Sequence, residues 1–474
     1  MVTRTRQRTA AAVAAAIAAI GVGAALIGLG PETSPADAAP RTIVSLTFDD
    51  ANANQAAAVE LLDQYDMDGT FFVPSGYVGA PGHLTLQELE AMAASGHEIG
   101  GHTVSHADLT AISADEAARQ VCYDRAQLTT WGFTVRSFAY PFARVNGTAK
   151  DAVAGCGYSS ARGLGDIDLE RCRSCRNAES LPPADPFETK APPQVETGWT
   201  LGDLQGVVRR AEHKGGWAQL TFHNVCVSGC DIAVSPQVFE QFLAWLQSRR
   251  DIGTVVRTVG DAIGGPAKPI VDAPAPAMTG PGENAIANAG YEDIGPDGAP
   301  RCWMRGGYGT NAPQLDATAE GRGGSMAARV HMGGYVDGDA KWLSTFDLGE
   351  CAPTVGEGRQ YSLRSWYTAT TVTQFAVYLR DTAGRWHYWT SSPWFGASAT
   401  FQQAVWTTPQ IPEGMTGISF GLNLFGDGTL VTDDVEMFDA EAAPEPAARA
   451  AATPAVAPAV APAVEPQGHP AAGD

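Results

Sequence analysis

Between residues 41 and 263, short apolar runs alternate with helical patterns, and few folds accommodate that rhythm. The spacing predicts strands over 42–48, 70–73, 99–103, 137–141, 219–223 and 254–258. Helical patterns fall between them, over 55–65, 85–95, 114–129, 201–212 and 236–249. Regular β–α alternation implies an α/β fold, a parallel sheet or barrel with helices outside it. In such barrels chemistry collects where strands end, at their carboxyl edge. One stretch breaks the pattern: residues 163–198 carry Pro182, Pro183, Pro186, Pro192, Pro193 and a Cys172-x-x-Cys175. A loop of that length inside a compact domain is either functional or tied down, and both are expected here, beside the active face.

The remaining chain divides by composition. Residues 1–38 begin with Arg4, Arg6 and Arg8, continue through an apolar run from Ala10 to Leu29, and offer Ala36-Asp37-Ala38 as a small-residue cleavage site. That is the layout of a signal peptide, so the mature protein is expected outside the cytoplasm, with no stable membrane insertion after cleavage. An uncleaved anchor is the alternative, since the run is long enough to span a bilayer. Residues 39–263 form the α/β domain, 264–282 a Pro/Gly/Ala linker, 283–440 a second domain and 441–474 an Ala/Pro tail expected to be disordered. The second domain holds seven of the eleven tryptophans and alternating segments such as 360–367 and 417–424, a pattern for an all-β sandwich. Export makes the eight cysteines a disulfide framework, and proximity suggests pairs 122–156, 172–175, 226–230 and 302–351. The formal net charge of −21 argues against nucleic acid as a partner.

Four short motifs carry candidate chemistry. Asp49 and Asp50 end the first strand after Thr47 and Phe48, and paired carboxylates there would repel without a cation or proton between them. His102-Thr103-Val104-Ser105-His106 begins at the end of the third predicted strand, and histidines at i and i+4 share one face of a helical turn. With Asp50 they compose a two-histidine, one-carboxylate set suited to a divalent ion with open positions. Leu220-Thr221-Phe222-His223 places another histidine at a strand end, so that Asp49 would serve as base and His223 as acid. In Phe138-Ala139-Tyr140-Pro141-Phe142, the proline shapes a strand end whose backbone N–H groups can face an oxyanion.

In this order the four motifs resemble those of NodB-type polysaccharide deacetylases, carbohydrate esterase family 4. The resemblance covers about residues 41–263. It implies a distorted (β/α) barrel of about seven strands and a divalent metal, commonly zinc, on Asp50, His102 and His106. It also implies Asp49 as general base, His223 as general acid, the Phe142 N–H in the oxyanion hole, and Tyr140 on the substrate side of the site. The family's usual arginine at the head of the third motif is replaced by Ala139, and Arg144 or Arg162 is expected to supply the missing cation. The reaction implied is removal of N-acetyl groups from an amino-sugar polysaccharide: chitin, peptidoglycan, or a GlcNAc- or GalNAc-containing exopolysaccharide. The alternatives are an O-acetyl esterase of the xylan type and an inactive glycan- or wall-binding protein.

The second domain has its own resemblance. Asn288-Ala289-Gly290-Tyr291-Glu292 and Thr432-Asp433-Asp434-Val435 are similar to the ends of carbohydrate-binding β-sandwich modules. That likeness implies a structural calcium shared by Glu292 and Asp434, and sugar stacking by aromatics such as Trp386, Trp389 and Trp394. The whole then reads as a monomer acting on a polysaccharide, secreted or associated with the cell wall.

Overall fold

All seven residues of the first strand, β1 (Thr42–Phe48), are buried, as expected of a parallel strand covered on both faces. A computed structural model describes residues 41–167, 177–323 and 326–446. The expected signal segment, the Cys172–Cys175 pair and most of the tail lie outside these residues.

After β1 the chain runs through α1 (Ala56–Gln64), β2 (Thr70–Val73), α2 (Leu86–Ser95), β3 (Glu98–Gly101) and α3 (Ala114–Thr130). It continues through β4 (Ser137–Ala139), α4 (Gly147–Gly155), β5 (Ser160–Arg162), α5 (Leu201–Lys214) and β6 (Gly216–Phe222). A small parallel pair follows, β7 (Asn224–Val225) and β8 (Ala233–Val234), then α6 (Pro236–Gln247), β9 (Thr254–Val256) and α7 (Val259–Ile263). Seven strands form one parallel sheet in the order β5-β4-β3-β2-β1-β6, with β9 beside the first half of β1. The strand number is the one expected, and the helices start where their caps dictate. Thr85 and Glu88 close a capping box on α2, Thr200 and Asp203 another on α5, and Ser113 caps α3.

The sheet's two end strands, β5 and β6, are joined by the proline-rich stretch. Thr189 N–H donates to the Ala161 carbonyl, Glu179 and Trp217 exchange two backbone hydrogen bonds, and Val195 N–H donates to the Thr221 carbonyl. The described part of the expected long loop therefore serves as a seam that closes the barrel. β5 is three residues long, and the seam adds to its pairing, Ala161 N–H donating to the Pro186 carbonyl and the Ala161 carbonyl accepting from Thr189 N–H.

Sequence and structure differ in where the strands stop. β3, β4 and β6 end before His102, Tyr140 and His223, so those residues lie in the loops beyond the strands. β5, α4 and α7 were not expected; β5 and α7 are too short to show a period.

The C-terminal domain consists of β10 (Trp303–Tyr308), β11 (Ala312–Thr318), β12 (Ala327–Gly333), β13 (Asp339–Ser344), β14 (Tyr361–Ala369), β15 (Thr373–Asp381), β16 (Trp386–Ser391), β17 (Ser398–Thr407), β18 (Met415–Leu424) and β19 (Gly428–Asp439). They make two five-stranded antiparallel sheets, β10-β13-β18-β15-β16 and β11-β12-β19-β14-β17. Residues such as Trp342, Leu363, Phe375 and Phe420 fill the core between them. The expected sandwich is present. Trp386 is buried with its ring stacked on Phe346, which removes its face from contact with a sugar. Trp389 and Trp394 are half-buried, and Tyr388 is the exposed aromatic of this strand. Disulfides Cys122–Cys156, Cys226–Cys230 and Cys302–Cys351 follow the expected pairing.

Candidate metal and catalytic site

Asp50, His102 and His106 converge beyond the ends of β1 and β3, with one ligand atom from each lying within 4.8 Å of the others. His102 Nε2 and His106 Nε2 are each 3.3 Å from Asp50 Oδ1. Among the described residues this is the one group of three such side chains. The histidines do not sit on a helical turn, as their spacing suggested. Residues 102–106 form a loop in which Thr103 (φ 66°) and His106 (φ 56°) are left-handed, and that loop folds the second imidazole back toward the first.

The charges fit a cation. Asp50 Oδ1 is buried and accepts no hydrogen bond, although two imidazole nitrogens face it. His102 Nδ1 lies 2.7 Å from the Ala139 carbonyl, a contact that places the proton on Nδ1 and leaves the Nε2 lone pair directed at Asp50. Burial works against the charged form of Asp50, yet the facing His102 and His106 imidazoles hold its carboxyl well below the usual range. Burial likewise opposes protonation of His102, but Asp50 and Asp49 outweigh it and raise its pKa. The buried acceptor, the oriented nitrogens and this proton affinity make a donor set that fits a divalent ion.

Asp49 is 3% exposed, and its two carboxylate oxygens lie 2.6 and 2.7 Å from Arg162 Nη2. Of the two arginines considered from sequence, Arg162 reaches Asp49, whereas Arg144 is exposed and pairs with Asp108. The Arg162 guanidinium also lies over the Phe72 ring at 5.1 Å, which fixes its plane. His223 Nε2 is 3.9 Å from Asp50 Oδ2, so the third histidine borders the same cluster. Phe142 is left-handed (φ 56°) and 47% exposed, with its ring 4.6 Å from that of His106. Tyr140 is buried, and its hydroxyl donates to the Phe187 carbonyl in the seam.

Glu292 lies in the segment before β10, and Asp434 lies on β19. Arg322 Nη1 is 2.5 Å from Asp434 Oδ2, and Met326 N–H donates to Glu292 Oε1. Burial, with the charges of Asp434 and Glu292, pushes the neighbouring Asp433 carboxyl up.

Several residues that organise the site have no place in the four motifs. Gln55 Nε2 donates to the backbone carbonyls of both Asp49 and His223, tying the base-side and acid-side loops together. Asp124, fully buried on α3, accepts from the backbone N–H of His102 and of Ser75. Gln120, one turn earlier, accepts from Ser105 N–H and Oγ, and Tyr77 donates to the Ser105 carbonyl. The signal was present in α3: Glu116, Gln120 and Asp124 make a polar stripe at four-residue spacing on a helix that must pack on a sheet.

Fold and site together define an α/β protein with two aspartates and three histidines gathered at the carboxyl edge of a parallel sheet. Residues 36–161 match the family described as polysaccharide deacetylase. The chain is 38% identical over 81 residues to a chitooligosaccharide deacetylase of Sinorhizobium fredii, spanning 16% of this chain and 35% of that protein. It is 27% identical over 119 residues to a chitin deacetylase of Colletotrichum lindemuthianum, 24% of this chain and 48% of the relative. A family 4 acetyl xylan esterase from Clostridium thermocellum aligns with a TM-score of 0.33 at 21% identity, over 47% of this chain and 90% of that structure. The chain spans less than half the length of the curated relatives it matches. Its N-terminal α/β region thus carries a polysaccharide deacetylase domain, matched over residues 36–161.

Proposed function

We propose that this chain is a secreted, metal-dependent hydrolase that removes N-acetyl groups from an amino-sugar polysaccharide. The observation that carries the reading is the convergence of Asp50, His102 and His106 beside an Asp49 held by Arg162. A divalent ion, zinc by preference for this ligand set, supplies a Lewis acid for the acetyl carbonyl and lowers the pKa of water at the site. Asp49 takes the proton of the attacking water, whose oxygen bonds to the acetyl carbon. Arg162 fixes the orientation of that carboxylate. The Phe142 N–H hydrogen-bonds to the oxyanion, and Tyr140 shapes the backbone that presents it. As the carbon–nitrogen bond breaks, His223 gives its proton to the sugar nitrogen, leaving acetate and a free amine.

Export is supported by three disulfides among the described residues. The sandwich is proposed to bind glycan, with calcium on Glu292 and Asp434 supported by the carboxylates crowded around Asp433. The chain is proposed to act as a monomer. An acetate-release screen over chitin, peptidoglycan, poly-N-acetylglucosamine and acetylated xylan, with metal-stripped and zinc-restored protein, tests the reading. Release from the N-acetylated glycans only after zinc is restored is expected. Release from xylan alone would make the protein an O-acetyl esterase, and release from none would leave a binding protein.

A further inference from the structure

We propose that the β-sandwich is a positioning element of the metal site: Leu348, through Glu116 and Gln120, holds the loop that carries His102 and His106. This inference rests on the metal-site reading above, and it assigns the sandwich a role apart from glycan binding.

The connection is continuous and buried. Leu348 N–H, in the loop after β13, donates to Glu116 Oε1 at 2.8 Å. Gln120 Nε2 donates to the same Glu116 oxygen at 3.1 Å, while Arg119 Nε holds the other at 2.9 Å. With its amide nitrogen committed to Glu116, Gln120 must present Oε1 to Ser105, where it accepts from both N–H and Oγ at 3.2 Å. Its backbone carbonyl also accepts from Val104 N–H. Val104 and Ser105 lie between the two histidines, so each hydrogen bond on them bears on the angle between the imidazoles. Glu116 thus orients the Gln120 amide, and the sandwich orients Glu116.

The sandwich side of this contact is rigid. The Asp347 carboxylate accepts from the backbone N–H groups of Gly349, Cys351 and Ala352, and Arg380 donates to the Asp347 carbonyl. The Cys302–Cys351 disulfide ties the loop to the start of β10. A second contact bears on the same loop, since a Cβ built on Gly384, between β15 and β16, would lie 2.6 Å from Val104 Cγ1. Ser113 N–H, at the start of α3, adds a hydrogen bond to Glu350. Groups that orient metal ligands typically alter affinity 10- to 100-fold when removed.

Zinc affinity, measured on the full chain by competition with a chromophoric chelator, tests the proposal, with the cobalt absorption spectrum as a second readout of ligand geometry. Gln120→Ala is expected to weaken zinc binding about tenfold, with Glu116→Ala moving in the same direction. Glu116→Gln, which keeps an acceptor for Leu348, is expected to restore wild-type affinity. From the sandwich side, Gly384→Ala is expected to weaken zinc binding and change the cobalt spectrum. Gly358→Ala, also at positive φ but with open space around it, should leave both unchanged. Wild-type affinity and spectrum in both Glu116→Ala and Gly384→Ala would overturn the inference while leaving the metal site standing. A wild-type chain that takes up no zinc would overturn the metal reading itself.

Discussion

Replacing Arg162 by methionine isolates the buried pair on which the proposed base depends. Arg162 and Asp49 are 1% and 3% exposed, and one guanidinium nitrogen contacts both carboxylate oxygens. At a charge separation of about 4 Å and an effective dielectric of about 20, the attraction is about 4 kcal/mol. Removing one partner leaves the other charge buried and uncompensated, at a cost of about 3–5 kcal/mol. With about 2–4 °C per kcal/mol for a domain of this size, Arg162→Met should lower the melting temperature by roughly 6–20 °C. The double variant Asp49→Asn/Arg162→Met should regain most of that loss, because no lone charge remains. In acetate release, Arg162→Met should lower kcat far more than it changes KM, since Arg162 contacts Asp49 from within the barrel. Arg162→Lys should recover part of the rate, having the charge without the planar fork. A melting temperature for Arg162→Met within about 2 °C of wild type, which is about 1 kcal/mol or less, together with an unchanged kcat, would refute the reasoning.

Four further outcomes follow from the structure. Asp50→Asn should abolish stoichiometric zinc uptake in an equilibrium dialysis measurement, because the carboxylate facing both imidazoles is lost. Zinc affinity of the wild-type chain should fall between pH 8 and pH 6, since Asp50 and Asp49 raise the proton affinity of His102 despite its burial. Burial first, then the charge of Asp347, pushes Glu116 from 4.5 to about 7, so between those values the folded chain keeps a proton that the unfolded chain has released. Stability therefore falls as pH rises through that window, and Glu116→Gln should flatten the fall in melting temperature between pH 5 and pH 8. If calcium bridges Glu292 and Asp434, adding it to chelator-treated protein should raise the melting temperature of wild type but not of Asp434→Ala.

Much of the barrel could be read from local pattern, because a strand buried on both faces must be written in apolar residues, as β1 and β6 are. The candidate ligands were legible for a related reason: Asp50, His102 and His223 are polar residues placed immediately after such runs. What pattern could not convey was the path of the chain beyond the strands. The loop holding His102 and His106 uses left-handed residues in place of a helical turn, and nothing in a His-x-x-x-His spacing distinguishes the two. β5 is three residues long, so Arg162 stood in the sequence as one of two arginines without an element to aim it. The seam over residues 177–195 has no period at all, because its hydrogen bonds alternate between β5 and β6. The stripe Glu116, Gln120 and Asp124 has a period, but a solvated helix face shows the same pattern, and only tertiary packing turns it inward.

Six of the twelve non-glycine residues with positive φ among the described residues lie in the loops around the candidate metal site: Asp50, Ala51, Thr103, His106, Phe142 and Ala143. A left-handed backbone costs a residue with a side chain about 1 kcal/mol or more. This site is therefore where a selection for heat resistance would find its easiest gains, with glycine at Ala51, Thr103 or Ala143 relieving the backbone at once. Each such gain would also free a hinge beside a ligand or an oxyanion donor. Lineages pressed toward higher temperature should accordingly keep these six positions substituted and harden the protein elsewhere, in the linker and the seam, where rigidity and turnover do not compete.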